Sequence, residues 1–116
     1  MARPTIWLLA IALIGAGAAT ASLAAGPPVV TLTLKDHRFA PAVVNVPAGQ
    51  KVQVVVINQD RSTEEFDSHD LRVEKLITPG ATARFFIGPL KPGPYRFMGE
   101  FHPQTAQGRF VAVEEH

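Results

Sequence analysis

Cysteine is absent from all 116 residues. The absence excludes a disulfide framework, a lipid-modified N-terminal cysteine and any thiolate ligand or nucleophile, so the folded part must be held by packing alone. Tryptophan occurs once, at Trp7, and tyrosine once, at Tyr95. There is no glycine-rich phosphate loop and no helical two-histidine zinc motif, and no heptad pattern or internal repeat. Ser68 and His69 are adjacent, and neighbours on a strand point to opposite faces, so they cannot act as nucleophile and base. With so little to support catalysis, the chain reads as a non-enzyme. Neither sign of charge dominates, with 11 Lys and Arg against 10 Asp and Glu. Once Arg3 is set aside with the leader described next, the two balance, and a neutral domain is not built to track nucleic acid.

The first 25 residues differ from the rest. Arg3 gives a positive start, 6–19 is an apolar run, and Ala19-Thr20-Ala21 and Ser22-Leu23-Ala24 are small-residue cleavage patterns. This predicts a secretory signal peptide over 1–25, cut between about 21 and 25, and a periplasmic or secreted domain over 26–116. The apolar run is shorter than the roughly 18 residues that cross a bilayer as a helix. Retention as an uncleaved anchor is the alternative, and membrane contact is expected only through it.

Beyond the leader, Val, Phe and Thr punctuated by proline and glycine favour strands over helices. Val29 to Lys35 alternates, with Leu32 and Leu34 on one face. Asp36 to Phe39 turns toward Pro41, and Val43 to Val46 is a short second strand. Pro47-Ala48-Gly49 is a turn in which Gly49 can take a positive φ. Val52, Val54 and Val56 share one face of a third strand and Val55 and Ile57 the other, which predicts cover on both sides. The run Arg61 to Glu65 is polar and predicts a surface loop. Further alternation follows through Ala83, Phe85 and Ile87, with reversals at Thr78-Pro79-Gly80 and at Pro89 to Pro94. Tyr95, Phe97 and Phe101 recur on one strand face ahead of His102 and Pro103, and Phe110 to Val113 supplies a partner strand. Seven or so short strands without a helix predict an all-β protein, a Greek-key antiparallel β-sandwich. An immunoglobulin-like sandwich competes, but it lacks its cysteine pair and a core tryptophan.

The chain has four histidines. His102 opens a polar loop between two strands, where neutral imidazole could meet copper, zinc, iron or nickel. Its bland reading is a loop histidine bonded to backbone. Glu100, two residues earlier, shares its parity and could add oxygen, or be a solvated charge. Glu65, Asp67 and His69 alternate along one strand edge, and share parity with Leu71 and Val73. If those two face the core, His69 stands on the same side at the strand entrance. Oxygen with imidazole suits ferric iron, Cu(II) or zinc, while an acidic surface loop is the plain alternative. His37 follows Asp36 in a turn and reads as structural or solvated, and His116 ends the chain and is expected to be disordered. Met98 shares parity with His102 and could be a soft ligand, or fill a gap in packing.

In order along the chain stand Phe39 and Pro41, Val46-Pro47-Ala48-Gly49, Val52 to Asn58, His69-Asp70-Leu71, Pro92 to Phe97, and His102-Pro103 with Gly108-Arg109-Phe110-Val111. That order resembles a cupredoxin, the sandwich of small blue copper proteins. Glu65-Phe66-Asp67-Ser68, Leu71, Glu74-Lys75 and Gly99 to Pro103 are more similar to its cysteine-free branch. These are the EfeO-type cupredoxin-like domains of secreted proteins associated with bacterial high-affinity iron uptake. The resemblance sets His69 and His102 where a blue copper site keeps its histidines, and Gly99 where it keeps its cysteine. No methionine lies between His102 and Gly108, so an axial ligand would fall to Gln104 or Gln107. No blue-copper centre is expected, and electron shuttling is disfavoured.

The resulting expectation is a metal-binding module that takes Cu(II) or Fe(III) and presents it to an iron or copper transport system. His102 and His69 would supply nitrogen, and Glu100, Asp67 and Glu65 oxygen. The competing expectation is a metal-free interaction domain that docks through a sheet edge or its acidic loop.

Overall fold

A computed structural model describes residues 26–114. The expected signal peptide and His116 lie outside them. Nine strands follow one another: β1 (Val29–Lys35), β2 (Arg38–Ala40), β3 (Val43–Pro47), β4 (Val52–Asn58), β5 (Glu64–Ser68), β6 (Val73–Ile77), β7 (Thr82–Ile87), β8 (Gly93–Gly99) and β9 (Gln107–Val113). They form a four-stranded sheet ordered β2-β1-β4-β7 and a five-stranded sheet ordered β3-β9-β8-β5-β6. The expected all-β sandwich is present, with both sheets mixed. β1 runs parallel to β4 and β3 parallel to β9, while the other pairs are antiparallel.

Alternation decides which side chains fill the space between the sheets. Leu32, Leu34, Val52, Val54, Val56, Phe85 and Ile87 point inward from one sheet, and Val46, Phe66, Ile77, Phe97, Phe110 and Ala112 from the other. Phe66 lies at the centre, with ring centroids 5.9 Å from Phe39, 5.1 Å from Phe85 and 5.0 Å from Phe97. At these separations aromatic rings interact beyond the area they bury. Burying such side chains contributes about 1.5–3 kcal/mol each, which is how a sandwich without disulfides holds together. The outer face of β4 is less covered than its apolar residues suggest, since Val55 and Ile57 are only half-buried.

Three local expectations change. Glu64 was expected in a surface loop, yet it starts β5 and is 1% exposed. Its position on the Phe66 face points it inward, and hydrogen bonds described below satisfy the carboxylate. Phe101 was expected on the face of Phe97, but β8 ends at Gly99 and the Phe101 ring is 50% exposed. Finally, the alternation from Glu65 to Val73 is interrupted, because β5 stops at Ser68 and 69–72 are a turn that includes Arg72 at φ 56°. The inward set of β5 is therefore Glu64, Phe66 and Ser68, and Glu65 and Asp67 point to the outer face of the sheet.

Candidate metal centre

Three connections meet at one end of the sandwich. The first is the two-residue turn Asp36-His37 between β1 and β2, in which both residues have positive φ, 53° and 57°. The second is the start of β5 at Glu64, and the third is the loop from Gly99 to Gln107 between β8 and β9. That loop is closed by its own backbone. Gly99 N donates to Ala106 O, His102 N to Gly99 O, and Ala106 N to His102 O. The Gln107 side chain donates to Pro103 O, so His102 projects from a tight coil rather than from a strand.

Glu64 anchors the group. Its Oε1 accepts from the amides of Glu65 at 3.0 Å and Phe101 at 2.8 Å. Its Oε2 lies 2.6 Å from His102 Nδ1, and its side chain is 2% exposed against 30% for His102. A carboxylate so buried needs such partners, because an unpaired buried charge is costly. A proton on His102 Nδ1 makes this contact a hydrogen bond to the carboxylate.

The His37 ring stacks on the His102 ring, with centroids 3.6 Å apart and planes 28° apart. His37 Nδ1 is buried and has no hydrogen-bond partner, since the Asp60 carboxylate lies 3.8 Å away, beyond bonding distance. One potential ligand atom from each of His37, Glu64 and His102 lies within 4.8 Å of the others.

The five residues expected to bind metal separate. His102 is in this cluster. Glu65, Asp67 and Glu100 are not, because the inward parity of β5 belongs to Glu64 and Glu100 sits in the loop with its amide bonded to Glu65 O. His69 lies exposed in the turn after β5. With Asp67, Met98, Arg96 and Arg109 it lines an open cleft of about 650 Å³ on the outer face of the five-stranded sheet. The outer carboxylates crowd one another. Glu65 is half-buried, and desolvation, followed by the charges of Glu74, Asp67, Glu100 and Glu64, raises its carboxyl above the ordinary 4.5.

Sequence reading missed Glu64 and His37. The signal for Glu64 was its even spacing from Phe66, the one large apolar residue of β5. For His37 no pattern was available, since the turn stacks its ring on a residue 65 positions away only once both sheets have formed.

Gly99 lies directly against Glu64. A Cβ built there would stand 2.7 Å from Glu64 Cδ and 2.8 Å from Oε2. The cluster offers two imidazoles and a carboxylate. That donor set fits a borderline or hard cation.

The chain belongs to the cupredoxin-like domain family, whose sequence profile matches residues 5–112. It is 44% identical over 86 residues to an uncharacterised protein of Rickettsia prowazekii (strain Madrid E), spanning 74% of this chain and 68% of that one. Among solved structures it is similar to auracyanin A, a blue copper protein of Chloroflexus aurantiacus, with TM-score 0.65 and 15% identity over 76% of this chain and 100% of that one. It is also similar to the metal-binding domain of a Cu(I)-exporting P-type ATPase of Streptococcus pneumoniae D39, with TM-score 0.67 and 14% identity over 74% of this chain and 85% of that one. At these identities the structural likenesses show the fold.

Proposed function

We propose that this protein is an exported metal-binding module of the EfeO-type branch, taking Cu(II) or Fe(III) as cargo at the His37, Glu64 and His102 cluster and serving metal uptake or handling. The observation that carries this reading is the buried Glu64 carboxylate paired with His102 at 2.6 Å beneath the stacked His37 ring. Without a cation, Glu64 Oε2 holds the His102 ring in place through its contact with Nδ1 at 2.6 Å. His102 gives up a proton from Nδ1 when the cation enters, and His37 brings its unpartnered nitrogen. Among divalent ions, such nitrogen and oxygen donors favour Cu(II). Binding rather than catalysis is the role, and an iron or copper transport system is the partner that would receive the cargo.

Fold relatives that carry copper, and the Cu(I)-exporting neighbour in particular, support metal handling as the general task. The absence of cysteine from the sequence argues against a blue-copper electron carrier, because the copper to thiolate bond cannot form.

The test is calorimetric titration of the protein with Cu(II), Fe(III) and Zn(II). The reading expects saturable uptake of Cu(II) or Fe(III) that is lost when His102→Ala and Glu64→Gln are combined. Equal uptake by parent and double variant would overturn the assignment. A second reading, a metal-free docking domain, draws on the crowded outer carboxylates Glu65, Asp67, Glu74 and Glu100. It expects no specific uptake, and a partner released by neutralising those residues.

A further inference from the structure

The turn that carries His37 is built against its own backbone preference. Lys35 pairs with Arg38, so Asp36 and His37 form a two-residue hairpin turn, with φ 53° and 57°. Turns of this kind favour Asn or Asp first and glycine second, because the second residue needs a positive φ that a Cβ disfavours. Asp36 suits its place. His37 stands where glycine would fit without strain.

A carboxylate from a different connection holds this turn. Asp60 Oδ1 accepts from Asp36 N at 2.6 Å, and Oδ2 from His37 N at 2.9 Å. Asp60 is itself fixed, since its amide donates to Asn58 Oδ1 at 2.9 Å. Asn58 is fully buried, and its Nδ2 donates to Ser62 O and Ile77 O, each at 2.9 Å. An unbroken series of bonds thus runs from the buried end of β4 to both strained amides. The clamp's hydrogen bonds go to the backbone, while Asp60 Oδ2 stands 3.8 Å from His37 Nδ1. The His37 ring is left over His102, with Nδ1 unbonded.

Strain retained where glycine would remove it points to a use for the side chain. The features of that side chain are its stack on His102 and its nitrogen in the cluster. We propose that Asp60 is a positioning residue for metal capture, holding the Asp36-His37 turn in its left-handed conformation so that His37 completes the ligand set with Glu64 and His102. The inference rests on the reading that this cluster takes a cation. It adds that the third ligand is held in place from the β4–β5 connection, by a residue that does not touch the ion.

A double-mutant cycle tests it, with Cu(II) and Zn(II) as probes and His37→Gly, Asp60→Ala and their combination as variants. Each single change is expected to weaken Cu(II) binding by about ten-fold or more, the usual effect of losing a ligand's supporting partner. The double variant is expected to bind no more weakly than His37→Gly alone, because Asp60 acts through His37. Electron paramagnetic resonance of the Cu(II) form should show coupling to two imidazole nitrogens in the parent and to one in either single variant. His37→Gly should melt no lower than the parent, since glycine relieves the turn. If Asp60→Ala unfolds the protein, Asp60→Asn, which keeps one acceptor, is expected to give the intermediate affinity.

Equal Cu(II) binding by parent and Asp60→Ala would overturn the proposal. So would a loss from Asp60→Ala that is undiminished in the His37→Gly background, which would make Asp60 a general structural support. Failure of the parent itself to take up either ion would overturn the cluster reading and this inference together, and it is recognised by appearing before any substitution is made.

Discussion

Gly99 and Glu64 exclude any larger pair at their positions, since a Cβ at residue 99 would lie 2.7 Å from the Glu64 carboxyl carbon. It would also meet Ala106 Cβ at 2.7 Å. Gly99→Ala is therefore expected to destabilise the fold by about 1–3 kcal/mol, the usual range for overpacking. It should also weaken Cu(II) binding, because the carboxylate is pushed off His102. Urea unfolding and a metal titration on the same variant check both, and an unchanged unfolding midpoint would contradict the crowding.

Glu64→Gln keeps the volume and removes the anionic donor. We expect a loss of about ten-fold or more in Cu(II) affinity, at least what a metal site loses with an outer supporting partner, because here the anionic donor itself is removed. His69→Ala, Glu65→Gln, Asp67→Asn and Glu100→Gln should each leave affinity close to that of the parent. Calorimetry across the five variants separates the inner cluster from the outer face. A large loss at His69 or Asp67 would return the site to the outer cleft.

On the proposed reading, a cation taken up between Glu64 and His102 displaces a proton from His102 Nδ1. Affinity should fall as pH is lowered, because protons then compete with the cation for imidazole nitrogen. Titrations in buffers of different ionisation heat should give heats that differ in proportion, reporting the proton released. Heats independent of the buffer would mean that the proton stays.

Glu65 sets a pH dependence of stability independent of any metal. Its carboxyl is raised in the folded chain by desolvation and by Glu74, Asp67, Glu100 and Glu64, in that order. The folded state thus holds this proton more tightly than the unfolded state. The contribution is fully present below the ordinary value of 4.5 and is lost as pH rises through the raised value. Glu65→Gln should therefore stabilise the protein at about pH 7 and lose that advantage at about pH 4. Urea midpoints at the two pH values decide it, and a variant that is less stable than the parent at neutral pH would contradict the sign.

The sandwich was legible because alternation in β1, β4 and β7 is a local signal, with Leu32 and Leu34, Val52 to Val56, and Phe85 and Ile87 buried as their spacing implies. Gly49 takes its expected positive φ, 78°. The parallel pairs were not legible, since register between distant strands leaves no mark on either one. At the metal centre, His102 could be found from its place between two strands. Glu64 was hidden by its polarity, because a run of charged residues reads as surface until hydrogen-bond partners from a distant loop are known. The turn at 69–72 misled the parity argument, since a single break in a strand reverses every inference that depends on counting by two.

The parallel pairing of β3 with β9 sets the order in which the molecule can be completed. Val43 pairs with Arg109 and Pro47 with Val113, so an early strand waits for nearly the last residues of the described chain. Contacts this distant in sequence form slowly, because a long loop must close before they contribute. The loop bearing His102 lies just ahead of β9 and runs directly into it at Gln107. On the proposed reading the cluster is therefore completed late in folding, and a chain cut before β9 would retain His37, Glu64 and His102 but lack the strand that ends the His102 loop.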